Sequence, residues 1–115
     1  MKNAARNFLA IVCLNCAFAS PAFAYDWQVI SAKVTVVEPT YMPTSISFQI
    51  NQNAGSCPAG TWLVWNGQGT TDIDKKDNSK AVLAALMTAV NSNKSINVFG
   101  FNSGCKIQFI HLLKD

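Results

Sequence analysis

Beyond Arg6 the chain carries no arginine, and His111 is its single histidine. No Cys-x-x-Cys pair occurs between Tyr25 and Asp115, and charged residues make up only 13% of the whole. Each absence removes a class of function. Nucleic-acid binders need a basic face, usually rich in arginine. A lone histidine without paired cysteines cannot assemble an ordinary zinc site. A membrane anchor needs about 20 consecutive apolar residues, and Asn15, Ser20 and Pro21 interrupt the one apolar stretch too early.

What the first 24 residues do contain is the layout of a secretory signal peptide. Lys2 and Arg6 make a basic start, Phe8 to Leu14 is apolar, and Ala17-Phe18-Ala19 extends the run. Ala22-Phe23-Ala24 then places small residues at the −3 and −1 positions of a cleavage site. Neither Cys13 nor Cys16 follows the small residues that a lipoprotein signal requires. The expected organisation is therefore a leader over 1–24 and a single small domain over 25–115, secreted or periplasmic. Cleavage also takes away Lys2 and Arg6, so the formal charge of +3 falls to about neutral.

The expected mature chain keeps two cysteines, Cys57 and Cys105. In an exported chain of this size they most simply form one disulfide. A small domain buries a modest share of its surface, and this cross-link contributes about 3–4 kcal/mol on the chain-entropy view.

The pattern from Tyr25 onward predicts strands at Val29–Val37, Ser45–Ile50, Thr61–Trp65, Ser95–Phe101 and Cys105–Leu113. In the first, Val34 and Val36 alternate with Thr35 and Val37. In the second, Ile46, Phe48 and Ile50 share one face, so the strand is half-buried. In the last, Ile107, Phe109 and His111 face opposite to Ile110 and Leu112. Asn66 to Asp77 is polar and reads as a loop. Between the third and fourth strands the period changes. Val82, Leu83, Leu86, Met87 and Val90 form a helical stripe, with Asp77 or Asn78 as the N-cap and Asn91-Ser92-Asn93 at the end. Phe99 and Phe101 read as core. The order β-β-β-α-β-β in roughly 90 residues suits a mainly β, α+β domain, a small five-stranded OB-like barrel closed at one end by the helix. An open antiparallel sheet with the helix on one face is the alternative.

The segments "SAKVTVVEP", "FQINQNAGSCPAGTWLVW", "DNSKAVLAALMTAVNSNKSINVFG" and "GCKIQFIHLL" resemble the B subunits of bacterial AB5 toxins, in particular the subtilase-cytotoxin B-subunit type. The resemblance implies an OB-type barrel, assembly into a ring of five, docking on a partner subunit and binding of cell-surface glycans. It carries no glycan-contacting residue over to this sequence. Only Tyr25-Asp26-Trp27-Gln28 stands before the first strand, where the toxin has a polar, serine-containing segment.

Catalysis finds little support in the residues. A general base needs a nucleophile and an orienting carboxylate in reach, and the strand bearing His111 offers neither. Asp72, Asp74 and Asp77 lack the central glycine and terminal glutamate of an EF-hand loop, and Lys75-Lys76 sits among them. No catalytic residue, metal or cofactor is expected. The aromatic residues Tyr41, Trp62 and Trp65 are the candidates for ligand contact. Tyr41 lies between two prolines, and the tryptophans, three apart on a strand, point to opposite faces and cannot form one platform. The expected function is a secreted, non-enzymatic binding or assembly domain, oligomeric, that engages a glycan or a protein partner. The alternative is a periplasmic structural or inhibitory protein acting through a protein–protein surface.

Overall fold

The computed structural model describes residues 24–115; apart from Ala24, the expected leader lies outside them. Five strands and one long helix follow in the expected order. The first strand, β1 (Trp27–Glu38), is longer than the alternation predicts. Its N-terminal half pairs with β4 (Ser95–Gly100) and its C-terminal half with β2 (Ile46–Ile50). Two bulges let one strand serve both neighbours, because an extra residue bends the strand and increases its twist. Between Val29 and Ala32, three steps along β1 span only the two from Val98 to Ile96. Ser31 takes the extra room in a left-handed conformation, φ 57°. Its N–H donates to Asn97 Oδ1 at 3.0 Å, and Gln52 Nε2 donates to its carbonyl at 3.1 Å. Side chains thus satisfy backbone groups that the interrupted ladder releases.

The second bulge corrects the expected faces. Val34 pairs with Ile50 but Val36 with Gln49, so Thr35 is the extra residue. Val37, not Val36, returns to the interior: Val37 packs on the core and Val36 is 40% exposed.

β2 presents Ile46, Phe48 and Ile50 inward, as the alternation predicts. β3 is short, Leu63–Trp65, and buries Leu63 and Trp65 together. Trp62 lies just outside it. The sheet is wholly antiparallel in the order β3-β2-β1-β4-β5, with β5 at Ile107–Leu112. Its two outer strands approach at one parallel bridge, Val64 to Lys106.

β5 also departs from simple alternation. Phe99 pairs with Phe109 but Gly100 with Ile107, which leaves Gln108 as an extra residue. Ile107 therefore shares a face with Ile110 and Leu112 rather than with Phe109 and His111. Ile107 is 5% exposed and Phe109 39%.

The helix α1 runs Asp72–Ser92 and begins five or six residues before the expected cap. Thr71 is the N-cap, its Oγ1 accepting from Asp74 N–H at 3.1 Å. Asp72 and Asp74 in the first turn complement the helix dipole. The polar composition of 72–77 reads as loop only when solvent exposure is mistaken for irregularity: these residues form an exposed helical start. Asn93 ends the helix in a left-handed conformation, with Lys94 N–H returning to Ala89 O. Leu86 and Ala89 are buried, and Val82, Leu83 and Val90 pack at the margin of the core. Met87, expected in the stripe, is 47% exposed.

The core joins Trp27, Val29, Ile46, Phe48, Leu63, Leu86, Ile96 and Val98 into one cluster. Each large aliphatic or aromatic side chain withdrawn from water contributes about 1.5–3 kcal/mol. Cys57 and Cys105 are bonded, as expected, across 48 residues. The bond ties the 53–60 loop to the 3-10 turn Ser103–Cys105 that leads into β5.

Candidate binding face

Sheet register builds an aromatic patch on the side of the sheet away from the core. Gln28 pairs with Phe99 and Phe99 with Phe109, so these three side chains stand in one row across β1, β4 and β5. Asn97 and His111 form the next row. Phe99 was expected in the core. Instead it sits on the opposite face and is sealed to 9% exposure among other rings. Its centroid lies 6.0 Å from Phe109 and 5.0 Å from His111.

Tyr25 completes the cluster from just before β1. Its ring meets Phe99 at 5.2 Å and Phe109 at 6.2 Å, both edge to face. The chain behind it is held in place. Asp26 N–H donates to Gly100 O at 2.8 Å, and Asp26 Oδ2 accepts from Asn102 N–H at 3.0 Å. Asn102 Oδ1 in turn accepts from Ser56 N–H at 2.9 Å, beside the disulfide. The position of Tyr25 is thus set by the two segments that the disulfide joins.

The rings meet at 63–88°, so the surface is ridged rather than flat. Edge-to-face packing suits the aromatic quadrupole. It leaves part of Phe109 in solvent, with the polar groups of Gln28, Asn97 and His111 around the patch. The arrangement can stack the apolar C–H side of a sugar, or bury an apolar side chain of a partner, while polar neighbours hydrogen-bond at its margin. Asn97 Oδ1 is already engaged by Ser31, so its amide NH2 is the group left to offer.

The three ligand candidates named from the sequence lie elsewhere. Tyr41 is 59% exposed in the turn between β1 and β2, next to the cis Met42–Pro43 bond. Trp62 is 42% exposed ahead of β3. Trp65 is 4% exposed and belongs to the core, its Nε1–H donating to Asn78 Oδ1 at 2.9 Å. Among the described residues, the aromatic ring contacts join Tyr25, Phe99, Phe109 and His111 and include none of these three. Simple alternation missed the patch because it grouped Phe109 with buried Ile107. The β4–β5 hairpin did not reveal it either: counting outward from Asn102-Ser103-Gly104 sets Phe99 beside Ile107, and only the extra residue Gln108 brings Phe109 there.

A separate hollow of about 220 Å³ lies between the β1–β2 turn and the start of α1, lined by Pro43, Thr44, Asn66, Asp72, Lys75 and Lys76. Its charges are mixed in sign and stand on exposed side chains. Compared with known protein families, curated proteins and solved structures, the chain matches none.

Proposed function

We propose that this chain is a secreted, non-enzymatic binding domain of the toxin B-subunit type, acting through the face built by Tyr25, Phe99, Phe109 and His111. The observation that carries the reading is that aromatic row on the solvent side of an antiparallel sheet, a side that ordinarily carries polar residues. Contiguous apolar surface, here the exposed edge of Phe109 backed by half-buried Tyr25 and buried Phe99, marks an interaction site more often than scattered apolar residues do. Its ridged relief and polar margin suit a glycan, whose ring presents one apolar and several hydroxyl-bearing sides. A protein partner is the second ligand class the same face accommodates.

Three further features support parts of this reading. The leader-like start supports export, and a disulfide persists in oxidising compartments. The sheet order, with the Val64–Lys106 bridge between its outer strands, supports closure into an OB-like barrel. Assembly into a homo-oligomer belongs to the same reading. No helix among the described residues is long and apolar enough to cross a membrane.

A glycan array probed with the processed chain tests the lectin form. Binding that Phe109→Ala abolishes, at unchanged thermal stability, supports it. Signal no higher than background removes the glycan and leaves the protein-surface alternative.

A further inference from the structure

Among the described residues, strand β5 has a neighbour along only one side for most of its length. Leu113 N–H donates to Ser95 O at 2.9 Å, and the register continues through Asn97–His111 and Phe99–Phe109. Hydrogen-bonded and non-hydrogen-bonded partners alternate in an antiparallel pair. Residues 109, 111 and 113 therefore turn their backbone groups toward β4, while 108, 110 and 112 turn theirs to the open side. Gln108 shows this directly, since its carbonyl accepts from Gln68 Nε2 at 2.8 Å across that side. β3 reaches only Lys106, just before the strand. Among the described residues, nothing bonds to the open-side N–H and C=O of Ile110 and Leu112.

Exposed edges are ordinarily blunted by charge, proline or a covering segment. From Ile107 to Leu113 this strand has neither charge nor proline, and Phe109 and Leu112 are 39% and 42% exposed. Among the described residues, the segment after β5 does not cover the edge. Asp115 Oδ2 accepts from Ser95 N–H and Lys33 Nζ, which draws the last residues back over β4 and β1.

The geometry points to edge-to-edge pairing of two copies of this chain through β5, antiparallel and centred on His111. In that register Ile110 of each copy exchanges two hydrogen bonds with Leu112 of the other, so all four open groups of both strands are used. An isologous contact of this kind is self-complementary and closes at two. The pairing segments hold no Lys, Arg, Asp or Glu, so two identical strands meet without opposing acidic or basic side chains. Leu112 gains Ile110 of the second copy on one face; Phe109 gains Leu113 on the other. His111 stands opposite His111, and the aromatic rows of both copies join into one continuous surface. The inference rests on the β5 edge and is independent of the glycan reading.

Sedimentation analysis of the processed chain across micromolar concentrations tests it, on wild type, His111→Lys and Ile110→Pro. The lysine variant places like charges opposite each other at the axis and leaves the β4–β5 backbone pairing as it is, though it also gives up the ring contact of His111 with Phe99. The proline variant removes an N–H that β4 does not use, and with it two of the four intermolecular bonds. Wild type is expected to form a dimer, with slowed amide exchange at Ile110 and Leu112, and each variant to weaken dimerisation on the order of tenfold or more. Unchanged far-ultraviolet circular dichroism certifies the fold of each variant, and His111→Lys decides alone if the proline chain fails to fold. A wild-type monomer at every concentration, a ring of five, or a dimer indifferent to both substitutions overturns the pairing. A ring of five overturns the pairing while agreeing with toxin-type assembly; glycan binding is read separately, on the array with Phe109→Ala.

Discussion

Trp27 and Gly55 compete for one space. A Cβ on Gly55 would lie 2.8 Å from Trp27 Cγ and overlap Cδ1 of the same ring and Asn102 Oδ1. Gly100 presses on the far end of the indole, where an added Cβ would lie 2.7 Å from Cζ2. Two glycines thus let the backbone approach both ends of a buried ring, next to the segment that carries Tyr25. Gly55 also holds φ +58°, a conformation costly for any residue with a side chain. Gly55→Ala is expected to destabilise the domain by about 2–4 kcal/mol through overpacking and backbone strain together. Urea unfolding measures it, and a loss within experimental error would mean that the 53–60 loop moves off the indole at no cost.

Asn78 holds two donors with one oxygen. Its Oδ1 accepts from Trp65 Nε1 and from Gln68 N–H, both at 2.9 Å. Asn78→Ala leaves the buried indole N–H without an acceptor, at a cost of about 1–3 kcal/mol. Asn78→Asp keeps an acceptor in place and should recover most of that stability. Equal losses in the two variants would show that the amide serves packing rather than these bonds.

The Cys57–Cys105 bond closes a loop of 48 residues. Cys57→Ser or Cys105→Ser is expected to lower stability by about 2–5 kcal/mol. Thermal melts of oxidised and reduced wild type give the same comparison without mutation. Identical melting temperatures would contradict a persistent cross-link.

Asp115 links the chain end to the helix end. Its carboxylate accepts from Lys33 Nζ at 3.1 Å, and Lys33 also donates to Asn93 O at 2.6 Å, beside the helix cap. The hydrogen bond from Lys33 first, and the Ser95 N–H with it, hold the Asp115 carboxyl below its ordinary value of 3.8, against the opposing effect of burial. A carboxyl lowered on folding stabilises the folded state above its unfolded pKa. That contribution fades as pH falls below about 3.8 and is gone once pH drops through the folded value. Both side chains are about one-third exposed, so the effect is small and screened by salt. Acid titration of wild type against Asp115→Asn should show a shallower loss of stability in the variant over that window. Coincident curves would place the carboxylate free in solution.

Much of this architecture was legible in order and in kind. Alternation locates β2, since Ile46, Phe48 and Ile50 recur at period two and all turn inward. Three-residue spacing separates Trp62 from Trp65, and the two differ as expected, one exposed and one buried. The cysteine count predicts the disulfide. The helix is legible in its second half, where Leu86 and Ala89 fall on the buried side. Its first turns are not, because residues 72–77 touch solvent and carry no apolar period.

What the sequence by itself determined is the number, type and order of elements and the cysteine pair, because these follow from local period and composition. What only the tertiary structure decided is which face each side chain takes beyond Ser31, Thr35 and Gln108. At each of these positions a bulge adds one residue to one strand, and in a structure of period two that exchanges inside for outside. A bulge is chosen by the register of a neighbouring strand, not by the residues beside it. Val36 therefore faces solvent, and Phe99, Phe109 and His111, set beside one another by that register, meet Tyr25 on the outer face.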